Sequence, residues 1–380
     1  MLRIKLFCHS IVSDWNHGNA HFLRGVLTEL SVRGHDVEAL EPENSWSRKN
    51  LVKDHGNEAI QAFERCYPRI KWRTYDLRLE SISELIQDAN IVLIHEWNEP
   101  VVIQAVANHR RRNNGLRIFF HDTHHRAITA EAEMRLNDLR EYDAILVYGQ
   151  ALKNVYDRLG WGGQTQVWHE AADTRIFRPI ANDTESKTVV WVGNWGDGER
   201  TQEIEEFLIN PVRSLGLRGE VYGVRYPDAA LTLLKDSGLE YRGWLPNCLV
   251  PETFANHRVT VHIPRRPYVQ SLPGIPTIRP FEAMACGIPL ICALWQDSEG
   301  LFRGGEDYLF ASDGNQMTRL LREVMHDDQL AASLSRKGLE TIRNRHTCSH
   351  RVDELLATYD SLRPQSAASS SDRAGVVTCT

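Results

Sequence analysis

At 380 residues the chain is long enough for two domains, and its 42% hydrophobic and 25% charged residues are those of an ordinary soluble globular protein. A net charge of -6 argues against a dedicated nucleic-acid binder, and seven cysteines without a Cys-x-x-Cys pair read as reduced thiols, neither a zinc site nor a disulfide frame. No apolar run has the length of a membrane span and the first seven residues are too short and interrupted for a signal peptide, so the expected location is cytoplasmic.

The chain opens with a buried strand at residues 4–7 and a polar loop, Asp14-Trp15-Asn16-His17-Gly18-Asn19. Ala20, Leu23, Val26, Leu27 and Leu30 then recur at helical spacing, and Gly34 ends that helix before a second strand. This βαβ opening predicts a parallel sheet, with Gly18 and Asn19 at its carboxyl edge, where ligands of α/β folds bind. There is no Gly-x-Gly-x-x-Gly. Residues 41–80 read as helix plus irregular connection. Short apolar runs at 91–94, 117–120 and 144–147 predict further covered strands. Their ends carry His95-Glu96-Trp97, His121-Asp122-Thr123-His124-His125 and Tyr148-Gly149, polar groups placed where such folds do chemistry. Between them, Arg110-Arg111-Arg112 reads as the basic end of a helix, leaving peripheral membrane association open but no stable insertion.

A second α/β series begins at 188–193 and continues through 220–223, 240–244, 259–263 and 290–292. The fold class is therefore α/β with two Rossmann-like domains facing a cleft, assigned to 1–175 and 176–364. Helices over 315–363 close the series, the last packing back on the first domain. Residues 365–380 are Ser, Ala and small polar residues, which predict a disordered tail.

The densest information lies in Arg279-Pro280-Phe281-Glu282-Ala283-Met284-Ala285-Cys286-Gly287-Ile288-Pro289. Pro280 suits a first helical turn and Gly287 a left-handed cap, so a Gly/Pro-rich loop delivers a helix amino terminus beside Arg279. Free amides and the positive dipole end suit a diphosphate, and Glu282 in the first turn suits the hydroxyls of a polyol. The same residues also describe a well-capped structural helix with Glu282 on a solvated face.

This stretch resembles the nucleotide-sugar signature of group 1 (family 4-like) glycosyltransferases of the GT-B fold. Its Arg-x-Phe-Glu form, with His346-Thr347-Cys348-Ser349-His350-Arg351, is similar to the spore-maturation branch. The resemblance implies transfer of a sugar from a nucleoside diphosphate sugar to an unidentified hydroxyl acceptor, metal-independent and retaining, with no cofactor beyond the donor. It implies that Glu282 binds ribose while Arg279, Phe281, Thr277 and Ile278 form the diphosphate end. Gly193, Asn194 and Arg200, in the Gly-rich loop after the first strand of the second series, would help hold the diphosphate, as would Arg265. Gly243 and Trp244 resemble the segment that lines the base. In the first domain His121 matches a His that touches the transferred sugar. Asp122 and Glu96 are then candidates for proton transfer, and Gly18, Asn19 and His124 for acceptor binding. The imidazole cluster matches no trusted metal spacing, and no metal ligand is assigned. In one departure, the family's earlier acid, eight residues before Glu282, is Gly274 here. An epimerase on the same scaffold and a non-catalytic nucleotide-sugar binder are the alternatives.

Overall fold

Strands covered on both faces have no exposed position, and Ile91–His95 and Arg117–Asp122 are buried at every residue. The computed structural model describes residues 1–182, 187–196 and 198–362. The tail expected at 365–380 lies outside the described residues. Among the described residues the strands form two sheets. The first contains β1 (Arg3–Phe7), β2 (Asp36–Pro42), β3 (Lys71–Tyr75), β4 (Ile91–His95), β5 (Arg117–Asp122), β6 (Leu139–Val147) and β7 (Gly162–Val167). The second contains β8 (Thr188–Val192), β9 (Arg218–Tyr222), β10 (Leu239–Gly243), β11 (Val259–His262), β12 (Leu290–Ala293) and β13 (Leu309–Ala311). Their orders are β3-β2-β1-β4-β5-β6-β7 and β10-β9-β8-β11-β12-β13. Every strand pair is parallel.

Each order reverses once, at β1/β4 and at β8/β11. Connections leave such a switch point in opposite directions and open a crevice at the carboxyl ends of the strands. The two crevices face each other, which sets the position of the site.

Residues 41–80 are more regular than their composition suggests: helices Trp46–His55 and Glu58–Cys66 precede β3. The first is capped by the Ser45 side chain, which accepts from the Arg48 amide. The terminal helix Cys348–Ser361 packs on the first domain. There the Trp168 indole donates to the Arg351 carbonyl at 2.8 Å, and Arg33 donates to Ser349 Oγ at 2.8 Å. Helix Ala20–Val32 comes close to it at Gly25, where an added Cβ would lie 2.9 Å from Asp173 Cβ and run into the Cys348 thiol. One apolar cluster extends from Leu23 and Val26 of that helix to Phe281, Met284 and Tyr359, so packing as well as the chain links the two domains.

Candidate active site

The facing crevices enclose a cavity of about 650 Å³. On the second-domain side, helix Ile278–Cys286 starts at Thr277, in extended conformation with ψ 175°, and ends at Gly287 with φ 69°. Thr277, Ile278 and Arg279 line the cavity, so the unpartnered amides of the first helical turn are presented to it. The Thr277 hydroxyl lies 3.1 Å from His262 Nε2, which fixes the start of the helix to the end of β11.

The loop after β8 adds Gly193 and Asn194. Asn194 accepts from the Val224 amide at 2.9 Å and donates across the cleft to Asn16. Arg200 follows from the same loop and donates to two backbone carbonyls, Ile263 at 3.0 Å and Asn194 at 2.6 Å. Neither acceptor is a carboxylate. Burial, together with the nearby Arg265, lowers its pKa. A dianion would relieve that strain by neutralising the charge. Arg265 also lines the cavity and pairs with Glu199 at 2.8 Å.

The first-domain side is built from the loops after β1, β4 and β5. Asp14 pairs with the buried Arg24 at 2.8 Å and accepts from the Trp244 indole at 2.9 Å and the Asn247 amide at 3.0 Å. That one carboxylate ties the expected base segment to the opposite domain. Asn19 donates to His95 Nε2 at 2.9 Å and Thr123 Oγ1 at 2.6 Å, leaving its carbonyl oxygen without a partner among the described residues. His17 lines the cavity, and burial holds it neutral, its pKa down at about 3. Glu170, from the segment joining the domains, is buried at the cavity wall. Burial, then the charge of Glu282, pushes its carboxyl well above the usual range.

Of the residues expected at this site, Gly18, Asn19, His124, Gly193, Asn194, Arg200, Trp244, Arg265, Thr277, Ile278 and Arg279 line the cavity. The other six lie behind its walls. His121 and Asp122 are the last two residues of β5, so their side chains point to opposite faces of the sheet and into the layers. His121 packs among Phe22, His95 and Trp168. Asp122 accepts from Tyr156 OH at 2.7 Å. Glu96 is buried against Arg126 at 3.1 Å. Only past the end of β5 do Thr123 and His124 turn into the cleft.

Gly243 stays in its strand, Phe281 packs on Phe302 at 5.1 Å, and Glu282 is sealed between His21 and Arg279. Glu282 is thus on neither a solvated face nor the cavity wall. Its Oε1 accepts from His21 Nδ1 at 2.7 Å, while His21 Nε2 accepts from the Asp173 amide at 2.9 Å. An amide can only donate, so the imidazole proton sits on Nδ1 and points at Glu282.

The structure also explains Gly274. Its φ is +91°, and a Cβ there would run into the Ser298 side chain. No acid fits that position without rebuilding the loop. His17, Thr123, Glu170 and His262 are site residues that sequence reasoning did not select. The signal available for His17 was its place in the polar loop after the first strand. Glu170 had none, being one acid in a connecting segment.

A paired crevice of this kind between two parallel-sheet domains is the GT-B glycosyltransferase architecture. The match to solved structures is extensive although the sequences have diverged. Sucrose-phosphate synthase from Thermosynechococcus elongatus superposes with TM-score 0.65 at 15% identity, over 95% of this chain and 99% of that one. Anabaena HepE, in complex with UDP and glucose, gives 0.66 at 13% identity over 95% and 100%. TarM gives 0.67 at 9% over 95% and 99%. No curated protein sequence matches the chain. Residues 200–357, which carry Arg200, Arg265 and the signature helix, match the family profile described as glycosyl transferase-like. The chain therefore has the GT-B fold with a glycosyl transferase-like domain in its second half. Among the described residues no helix is long and apolar enough to cross a membrane.

Proposed function

We propose that the protein transfers a sugar from a nucleoside diphosphate sugar to a hydroxyl acceptor, within group 1 and nearest its spore-maturation branch. The observation that carries the reading is the wall opposite His17 and Asn19. There a helix amino terminus, Arg200, Arg265 and Arg279 converge on one cavity beside a glycine-bearing loop. HepE, on the same fold, has been crystallised with UDP and with UDP-glucose.

In the reaction the bond from the sugar's C1 to the diphosphate oxygen breaks with its electron pair going to that oxygen. The acceptor oxygen bonds to C1, and its proton ends on the departing diphosphate. Negative charge grows on the diphosphate, where the helix amides and the three guanidinium groups stabilise it without a metal ion. Trp244 flanks the base. Glu170, a buried carboxyl facing the cavity, takes the hydroxyl-binding role that Gly274 cannot supply. The retaining outcome, the cytoplasmic location and the absence of a nucleic-acid partner belong to the same proposal, the last supported by the net charge of -6.

Calorimetric titration with UDP, GDP, TDP and ADP tests the donor site, and the product formed from the matching nucleotide sugars, read by NMR at the anomeric carbon, tests transfer. Failure of all four nucleotides to bind would overturn the proposal. Glu170→Gln should raise KM for the sugar donor while leaving UDP affinity within about twofold, because the change removes a hydroxyl contact and no phosphate contact. Equal loss of UDP affinity would refute that role. A second reading, nucleotide-sugar binding without turnover, is favoured by the two signature acid positions, one occupied by glycine and the other sealed. Saturable binding without product across acceptors would establish it.

A further inference from the structure

A second cavity, of about 890 Å³, adjoins the first and shares His9, Trp46 and Trp97 with it. It belongs wholly to the first domain, between the start of helix Trp46–His55 and the segment after β3. Trp46 and Trp97 are 44% and 43% exposed, although side chains of this size usually bury most of their surface. Both rings are braced. Trp46 meets Trp15 edge-on with centroids 5.3 Å apart, and Trp97 meets His124 at 5.1 Å with the Arg126 guanidinium 4.5 Å from its ring centre. Two ordered indoles therefore leave apolar surface uncovered at the passage between the cavities.

The remaining lining mixes apolar residues, Pro42, Tyr75, Leu77 and Val102, with charged ones that are, on balance, acidic. Glu43, Asp76 and Glu99 stand against Lys49 and Arg78, and Arg78 is engaged by Asp76 at 2.5 Å. Such a lining repels polyanions. A pyranose has the complementary chemistry: apolar C–H faces that stack on aromatic rings, and a rim of hydroxyls that donate to carboxylates.

We propose that this second cavity is the acceptor subsite and that its occupant is a neutral saccharide, stacked on Trp46 and Trp97 and hydrogen-bonded through its hydroxyls to the carboxylates Glu43, Asp76 and Glu99. The inference rests on the glycosyl-transfer reading and gives it a substrate class. The acceptor hydroxyl enters the donor cavity past His9, bonds to C1 of the donor sugar as the C1–diphosphate bond breaks, and gives its proton to the departing diphosphate.

Saturation-transfer NMR on the full chain, without nucleotide, tests the site directly. The probes are methyl glucoside, methyl galactoside, methyl mannoside, maltose, cellobiose and lactose at millimolar concentration, with a short oligodeoxynucleotide and phosphatidylglycerol vesicles as contrasts. Transfer to the ring protons of at least one saccharide is expected. Trp46→Ala and Trp97→Ala should weaken that binding about tenfold, and Trp46→Phe and Trp97→Phe should recover most of it because they restore an aromatic face. No saccharide binding to the wild type, unchanged affinity in the folded alanine variants, or selective binding of the oligonucleotide or vesicles would each overturn the proposal. A parallel UDP titration separates the two readings. UDP binding without saccharide binding refutes the acceptor assignment alone, whereas saccharide binding without any nucleotide site removes the transfer reading and leaves a saccharide-binding cavity.

Discussion

Replacing Glu282 tests whether the signature acid meets ligand or holds the domains together. In the structure both partners of its carboxylate are protein groups, His21 from the first domain and Arg279 at the cavity wall. Glu282→Ala strands the His21 Nδ1–H in a fully buried site, at a cost of about 1–3 kcal/mol, and removes the partner of Arg279. Breaking a buried pair costs about 3–5 kcal/mol when the remaining charge stays buried. The Arg279 side chain is 16% exposed and recovers part of this from water, so a total of about 3–4 kcal/mol is expected. That corresponds to a fall in Tm of about 6–16 °C for a domain of this size. Arg279, no longer fixed, should also weaken UDP binding by about tenfold.

His21→Phe is the discriminating partner. It keeps the ring that stacks on Phe177 at 3.8 Å but deletes both hydrogen bonds of the imidazole. If Glu282 joins the domains, His21→Phe lowers Tm as Glu282→Ala does, and UDP affinity falls less because the Glu282–Arg279 pair remains. If Glu282 is instead a ribose ligand, freeing it leaves UDP affinity unchanged or improves it. Differential scanning fluorimetry and calorimetry on the two variants decide the matter. A folded His21→Phe protein with wild-type Tm and wild-type UDP affinity would refute that joining role.

Three further outcomes are expected. Burial holds His17, His121, His262 and His346 at about 3, below the unfolded value of about 6.5. Their contribution to stability is full above that value and is lost as pH falls toward 3. Asp122, raised by burial to about 6, acts oppositely: its contribution is present below about 4 and lost as pH rises through 6. With four protons against one, these five groups should make stability near pH 5 rise by about 4 kcal/mol per pH unit, and His121→Phe should flatten the slope by about one proton; a Tm constant between pH 5 and 7.5 would contradict this. Cys66 and Cys248 place their thiols 2.7 Å apart across the domains. Glutathione disulfide should therefore take two electrons and two protons from them and leave a cross-link, visible in a peptide map and lost in Cys66→Ser; a fully oxidised sample with no such link would mean the cleft is not closed this way in solution. At Gly274, substitution by alanine should cost about 1–3 kcal/mol through the left-handed backbone alone. Ser298→Ala should relieve the steric part without restoring wild-type Tm, and full restoration would show that φ is unstrained.

What could be read from the chain follows from how each part is buried. Interior strands such as β4 and β5 carry unbroken apolar runs, Ile91 to Ile94 and Ile118 to Phe120, because both faces are covered, so they stand out. The strands missed, β3, β7 and β13, all lie at sheet edges. Lys-Trp-Arg-Thr-Tyr in β3 is largely half-covered and carries no apolar run to detect. The signature helix was legible because proline, glycine and the helix dipole act locally, within a dozen residues. What the side chain of Glu282 meets is not local. Its partner His21 is 261 residues away, on a helix whose Leu23 and Val26 share one apolar cluster with Phe281 and Met284 of the signature helix. The strand-end cluster divides for a geometric reason. Alternation along β5 sends His121 and Asp122 into opposite layers, and the sequence does not mark where the strand stops. One residue more or less in that strand decides which histidine reaches the cleft, and here it is His124.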